Sequence, residues 1–451
     1  MNERRTAISL FSSGGIGDLA LRAAGAEVLV ANELLEDRCA LFRSNFPDCE
    51  LISGDINSRR EAIITATKRH LNGRELDILF ATPPCQGMSK NGRGKLLNLV
   101  RAGERPEHDV RNRLVLDTIS IAIELRPKAI VFENVPEMRS TFIQHEGRFE
   151  NIIDILENKL SPEYVGHAEV VEFANYGVPQ RRQRLITVFS RVPSVMNLLL
   201  SGSNDWLPPS THSRGGSTGK NNWVSVLDAV GNVEPLDAGC AETAFSTCHS
   251  YHRVPTLDEA KYFWVSNTPP GKGAFDNQCV NPACGFDQNP THGSRHRDGI
   301  NTANKDTPIR CEKCSELLPR PWVVKEGRHR IMSGFTSAYK RMRGDLPASA
   351  LTRNLSYACS DQKLHPIQHR VLSLHEAFIL HTIDRYNYRW ERADGRKLSD
   401  KTIREVIGES IPPAGLEPIF RHLIALLDDQ DARLSPQALF RQTLKSHRYI
   451  S

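Results

Sequence analysis

The chain has 451 residues, about three times a typical single domain, so two or three domains are expected. Hydrophobic residues make up 39% and charged residues 25%, which excludes a mostly disordered or collagen-like chain. The net charge of +5 permits a polyanionic partner without demanding one. No apolar run approaches the roughly 18 residues that cross a bilayer. The N-terminal Met1-Asn2-Glu3-Arg4-Arg5 leads into one short strand-like run without a signal-peptide core. The sequence therefore points away from membrane insertion and secretion and towards a cytoplasmic protein.

Through residue 190 the pattern alternates. Apolar runs suited to buried parallel strands are Ala7–Phe11, Glu27–Ala31, Asp77–Ala81, Ala129–Phe132 and Leu185–Val188. Helix-like segments lie between them: Asp18–Ala24, Leu35–Asn45, Arg60–His70, Arg113–Leu125 and Phe149–Leu160. Such alternation predicts an α/β domain, doubly wound around a parallel sheet. Residues 201–222 have linker composition, and the chain stays irregular to about 335. Helices are next expected over Val371–Ile383, Asp400–Ile407 and Glu417–Leu427, with Pro418 in a first turn. The expected division is a domain over 1–190, a smaller irregular one over 191–335, and a segment over 336–451 that completes the first.

Chemistry-bearing residues gather at strand ends. The turn from Phe11 through Gly14, Gly15 and Gly17 joins the first strand to the first helix, where glycines allow close approach to a ligand beside a helix N-terminus. Glu33 ends the second strand, where a carboxylate can accept hydrogen bonds from ribose hydroxyls. Asp55 follows a third strand-like stretch and could meet an adenine amino group. Gly15-x-Gly17-x-x-Ala20 with Glu33 also fits a dinucleotide fingerprint, so a nicotinamide oxidoreductase stands as a rival at this point. Thr82-Pro83-Pro84-Cys85-Gln86 puts a thiol past the end of the next strand, and Phe132-Glu133-Asn134-Val135 puts a carboxylate at the end of another. Gln180-x-Arg182-x-Arg184 adds a basic cluster. Each taken alone could be a buried Cys, a capping Glu or a surface Arg run.

Together these segments resemble the cytosine-5 methyltransferase family, in family order. Late segments agree: Leu364-His365-Pro366, Arg370-Val371-Leu372-Ser373-x-x-Glu376, and Ile407-Gly408-Glu409-Ser410-Ile411-Pro412-Pro413. The resemblance covers about 6–190 and 335–425. It implies a Rossmann-like S-adenosylmethionine-dependent domain with a target-recognition domain between the two parts. Cys85 would attack carbon 6 of a flipped cytosine, Glu133 would hold the proton at ring nitrogen 3, and Arg184 would contact the exocyclic oxygen. Gln180 and Arg182 would order that site. Phe11, Gly15, Gly17, Glu33, Asp55, Pro83 and Ser410 would surround S-adenosylmethionine. The basic loop with Lys90, Arg93, Lys95, Arg111 and Arg113 would close on DNA. Glu409 stands where the family commonly has Asn, and Met88 where an aromatic is frequent.

The resemblance implies a DNA cytosine-5 methyltransferase of a bacterial or phage restriction–modification system, acting as a monomer on double-stranded DNA, with a cognate restriction endonuclease as its counterpart. An RNA (tRNA) methyltransferase of the same family is the alternative; the size of the variable region favours DNA. A DNA-binding protein without catalysis is a third reading, which the intact catalytic residues oppose. Cys279-x4-Cys284 and Cys311-x2-Cys314 form two knuckles 26 residues apart, the pattern of a structural zinc site; free thiols or a redox pair at Cys311 and Cys314 remain open. His292 and His296, in the loop between, read as surface or DNA-facing. Arg320–Arg353 holds eight Lys/Arg against two acidic residues. Of these Arg328, Arg330, Lys340, Arg341 and Arg343 are expected to hold phosphates.

Overall fold

The computed structural model describes residues 4–84, 110–293, 295–297, 300–302, 304, 306–333 and 337–428. Its centre is a seven-stranded sheet of order β3-β2-β1-β4-β5-β9-β8. The strands are β1 (Arg5–Leu10), β2 (Ala26–Glu33), β3 (Glu50–Ser53), β4 (Ile78–Ala81), β5 (Ala129–Asn134), β8 (Val165–Glu172) and β9 (Gln183–Ser190). A small hairpin, β6 (Phe142–His145) with β7 (Arg148–Asn151), stands apart from it. The first five strands of the sheet are parallel, as expected.

β9 is not. It runs antiparallel to both β5 and β8, so Leu185–Val188 is a buried strand of the opposite sense. The reason is the connection: only a 3-10 turn over Phe173–Tyr176 and a few further residues separate β8 from β9, too few for the crossover that parallel neighbours need. β8 lacks a continuous apolar run because its residues are only partly covered, and the sequence pattern does not announce it.

Period-two alternation sorts each central strand onto two faces. Ile8, Leu10, Leu79, Ala81, Ile130 and Phe132 pack on one side with α3 (Ile56–Leu71), α4 (Leu114–Leu125) and α5 (Ile152–Leu160). Ala7, Ile78, Phe80, Ala129 and Val131 pack on the other with α1 (Ile16–Ala23), α6 (Pro193–Leu200) and α11 (Pro413–Asp428). The late helix thus covers the early sheet: Phe420 meets Phe80 edge-on, with centroids 5.1 Å apart. Pro418 lies at the sixth position of α11 and not in its first turn, which Pro413 opens. α5 starts at Ile152 because Asn151 caps it and Phe149 belongs to β7. Likewise the helix expected over Val371–Ile383 is α9 (Leu374–Leu380), started by a reciprocal capping box between Ser373 and Glu376.

The stretch after β9 is irregular. It contains the two-residue strands β10 (His212–Ser213) and β11 (Asn221–Asn222), the short helices α7 (Val226–Val230) and α8 (Glu259–Ser266), and two hairpins. The hairpins are β12 (Arg295–Arg297) with β13 (Ile300–Thr302), and β14 (Trp322–Lys325) with β15 (Arg328–Ile331). Trp264, Phe275, Tyr339 and Leu364 form its core. α10 (Asp400–Glu409) and α9 join Ile16, Leu41 and Val226 in a cluster next to the first turn of the sheet domain.

Candidate active site and cysteine cluster

The turn after β1 is conformationally costly. Phe11 (φ 61°) and Ser13 (φ 50°) adopt the left-handed region, as does Gly15 (φ 81°). A Cβ on Gly15 would fall 2.5 Å from the Phe46 ring, and one on Gly17 3.1 Å from Phe80, so packing fixes both glycines. The turn swings the Ser13 N–H onto Glu33 Oε2 at 2.8 Å, while Glu33 Oε1 accepts from the Leu35 N–H at 2.8 Å. Glu33 is therefore a buried carboxylate aimed by two amides, with further lone pairs for hydroxyl donors. Asp55 is exposed and caps α3, Oδ1 accepting from the Asn57 and Ser58 N–H groups. Tyr388 donates from its hydroxyl to the Gly14 carbonyl at 2.6 Å, a late residue reaching the first turn that sequence patterning did not reveal. Burial pushes Asp18, in the first turn of α1, up to about 7.

At the neighbouring strand ends, Asn134 donates from Nδ2 to the Pro83 carbonyl at 3.1 Å, tying the end of β5 to the end of β4. Cys85, with Met88, Lys90, Arg93 and Lys95, lies outside the described residues. Two residues before Cys85, the buried Pro83 is fixed through its carbonyl to the residue that follows Glu133 in β5. Arg184 Nε stands 2.7 Å from Glu133 Oε1, the two side chains 15% and 8% exposed. Burial raises Glu133 above the usual carboxyl range, although Arg184 and Arg182 pull it down. The site thus holds a carboxyl with enhanced proton affinity next to a fixed cation.

Gln180 and Arg182 are buried scaffolding. Gln180 accepts from the Leu351 N–H at 3.0 Å and donates to His381 Nδ1 at 3.1 Å. His381 then donates from Nε2 to Ser410 Oγ at 3.0 Å, and Ser410 donates to the Ile407 carbonyl at 3.1 Å. Burial and the nearby Arg182 and Arg184 hold His381 well below its ordinary value, which keeps it neutral, and the Gln180 amide donating to Nδ1 leaves the proton on Nε2. Arg182 donates to the carbonyls of Leu351, Gly408 and Ser410. His381 carries no motif in the sequence; only the fold shows that it links the strand-end cluster to Ser410. Glu409 is ion-paired with Arg38, 2.6 Å away.

The four knuckle cysteines converge: their sulfurs all lie within 4.8 Å of one another. Cys279–Cys314 and Cys284–Cys311 are 3.6 and 3.8 Å apart. A tetrahedron with metal–sulfur bonds of about 2.3 Å has edges near 3.8 Å, so the donor set fits zinc. Burial would lift Cys311, but the backbone N–H groups of Cys314 and Lys313 together with the Cys279 and Cys314 thiols outweigh it and bring it to about 6. His292 lies outside this cluster. It is half-buried, packed against Phe275 with Nδ1 on Thr307 Oγ1 at 2.7 Å. The side chain of His296 lies outside the described residues.

The basic residues separate. Arg341 is 1% exposed and donates to the carbonyls of Thr268, Val265, His365 and Gln368, so it is a core strut and cannot hold a phosphate. Arg343 is exposed and ion-paired with Asp345, and Lys340 is half-buried in an isolated bridge to Gly273. Arg111 is half-buried in a 3-10 turn and Arg113 is exposed at its end. In the β14–β15 hairpin the register places Val323, Lys325, Arg328 and Arg330 on one face. On the other face Trp322 packs inward, edge-on to Trp264 at 5.5 Å, while Val324 stays exposed.

The family model described as C-5 cytosine-specific DNA methylase matches residues 5–425. The Type II methyltransferase M1.HgaI of Avibacterium volantium is 28% identical over 435 residues, covering 94% of this chain and 99% of that protein. The Type II methyltransferase M.AgeI of Thalassovita gelatinovora is 24% identical, covering 90% of this chain and 96% of its own. Among solved structures, one described as a DNA modification methyltransferase encoded within a prophage (E. coli) superposes with a TM-score of 0.53 at 19% identity, covering 94% of this chain and 100% of that one. That likeness concerns the fold.

Proposed function

From the premise that this chain belongs to the C-5 cytosine-specific DNA methylase family, and so is an S-adenosylmethionine-dependent DNA cytosine-5 methyltransferase, we propose an assignment of its residues to that reaction. S-adenosylmethionine supplies an electrophilic methyl group. Glu33, aimed by the Ser13 and Leu35 amides, accepts the ribose hydroxyls; Phe11, Gly15, Gly17, Asp55, Pro83 and Ser410 line the same cleft. Cys85, as thiolate, adds to carbon 6 of a cytosine flipped from the duplex, at an unstacking cost of a few kcal/mol. Glu133 holds the proton at ring nitrogen 3 and Arg184 faces the exocyclic oxygen. After methylation, loss of the carbon 5 proton expels Cys85. The observation that carries this assignment is the Arg184–Glu133 contact of 2.7 Å, with burial raising the proton affinity of that carboxyl, on the strand whose next residue, Asn134, holds Pro83 two residues before Cys85.

We assign 1–190 and 336–451 to catalysis and 191–335 to target recognition. Cys279, Cys284, Cys311 and Cys314 hold one structural zinc, four thiolates leaving no open position for chemistry. The outer face of the β14–β15 hairpin, with Lys325, Arg328 and Arg330, lies against DNA phosphates. The relatives' Type II designation supports a restriction–modification setting; a cognate endonuclease as counterpart and action as a monomer on DNA belong to the same proposal. Among the described residues no helix is long and apolar enough to cross a membrane.

The test is covalent trapping. Incubated with S-adenosylmethionine and duplex DNA carrying 5-fluorocytosine at its site, found by bisulfite sequencing of DNA from expressing cells, the protein should form a denaturation-resistant complex. The C85A variant should form none; methylation by C85A at a normal rate would overturn the assignment.

A further inference from the structure

Glu409 lies where two separately held segments of the fold meet. It is the last residue of α10, and the carbonyls on both sides of it, of Gly408 and Ser410, accept hydrogen bonds from Arg182 Nη2 at 2.9 and 2.5 Å. The backbone at Glu409 is thus pinned to the segment that carries Arg184. Its side chain points the other way, across to α2 (Glu36–Asn45), where Oε2 meets Arg38 Nη2 at 2.6 Å with the side chains 32% and 15% exposed. Arg38 sits in the turn that aims Glu33. The Arg38 N–H donates to the Leu35 carbonyl at 2.9 Å, and the Leu35 N–H donates to Glu33 Oε1 at 2.8 Å. Cys39, the next residue, donates from Sγ to the Glu33 carbonyl at 3.4 Å.

We propose that the Arg38–Glu409 ion pair is a positioning clasp across the cofactor cleft, joining the turn that aims Glu33 to the backbone held by Arg182. This rests on Glu33 being the ribose-binding carboxylate. Leu41 of α2 already packs in one apolar cluster with Val406 and Ile407 of α10, and the pair adds a polar tie at the end nearer Glu33 and Ser410, so that more of their ordering precedes cofactor binding. An Asn at 409 is shorter and uncharged and cannot make the same bridge. Neither Arg38 nor Glu409 touches the reacting atoms.

Calorimetric titration with S-adenosylhomocysteine tests the clasp without turnover. E409Q, E409N and R38Q should each raise Kd by about three- to five-fold, the range open to a partly exposed ion pair. R38E, which sets two carboxylates face to face, should do more, and the swapped pair R38E/E409R should return Kd to near that of the parent protein. Added salt should weaken binding by the parent more than by E409Q, because it screens a pair that E409Q lacks. In turnover, KM for S-adenosylmethionine should rise more than kcat falls, whereas general loosening of the fold would lower both kcat and the unfolding midpoint. Unchanged Kd in the single variants, or a swapped pair no better than R38E, would overturn the clasp. Failure of the parent protein itself to bind S-adenosylhomocysteine would instead overturn the reading of Glu33.

Discussion

Replacing Arg184 by Met removes the cation beside a fully buried carboxyl while keeping most of the side chain's bulk. The Arg184–Glu133 contact is 2.7 Å. At an effective dielectric of 20, unit charges at that spacing attract by about 6 kcal/mol, most of which desolvation of the two ions offsets. Stranding the remaining charge costs about 3–5 kcal/mol, and the nearby Arg182 argues for the lower end. Glu133 can escape by taking a proton. Burial already raises it, and loss of Arg184 raises it further. With the folded value above the unfolded one, near 4.3, the stabilising effect of that proton is present below the unfolded value and lost as pH climbs through the folded one, at up to about 1.4 kcal/mol per pH unit. R184M should therefore trail the parent protein slightly at pH 5 and by about 3 kcal/mol at pH 8. Urea midpoints measured across that range would show the gap widen, and the double variant E133Q/R184M, which lacks the titrating carboxyl, should show a flat one. A gap for R184M that does not change with pH would refute the account of Glu133 as a strained, proton-seeking acid.

Glu33→Ala should weaken S-adenosylhomocysteine binding by about 1.5–3 kcal/mol, read by calorimetry, because it removes charge-assisted hydrogen bonds. Metal analysis of the purified protein should find one zinc per chain; chelation should make Cys279, Cys284, Cys311 and Cys314 titratable and loosen residues 270–335 to protease before the sheet domain yields. R328A and R330A should each lower the slope of log Kd for DNA against log salt by about 0.9 without moving the methylated site. R341A should leave that slope alone and lower the unfolding temperature, since Arg341 holds core carbonyls.

Strand ends were legible because chemistry and pattern coincide there. Five apolar runs mark five strands, and Glu33 and Glu133 end two of them where an open α/β sheet meets its ligands. The sense of β9 was not legible: a buried strand of either direction reads as the same apolar run, and only the length of the link from β8 decides it. β8 escaped for another reason, since a part-covered strand needs no continuous apolar stretch, and β3 showed only as the strand-like stretch before Asp55. His381 and Arg38 could not be found from sequence at all. Their roles depend on contacts with Gln180 and Ser410, and with Glu409, which local periodicity does not encode.

Counting charges misled for a physical reason that also explains how the irregular region holds together. Outside a sheet, backbone carbonyls lack a ladder of N–H partners, yet burial still demands that they be satisfied. A guanidinium offers five donors in a rigid fork, enough to serve several carbonyls from different loops at once. Arg320, just past the second cysteine knuckle, does this, donating to the carbonyls of Asn277, Pro290 and Pro308, which come from the segments leading into and between the knuckles. Arg341 serves four carbonyls beside Leu364, and Arg370 grips Glu376 through two hydrogen bonds of 2.7 and 2.8 Å. Such arginines inflate the apparent basic patch while contributing nothing to its surface. Outside remain Arg353, Arg343 paired with Asp345, and a compact group, Lys325, Arg328 and Arg330, along one face of a hairpin whose other face is anchored on Trp264. A two-stranded ribbon is of a size that a DNA major groove admits, so that compact group is also the part with a shape suited to the duplex.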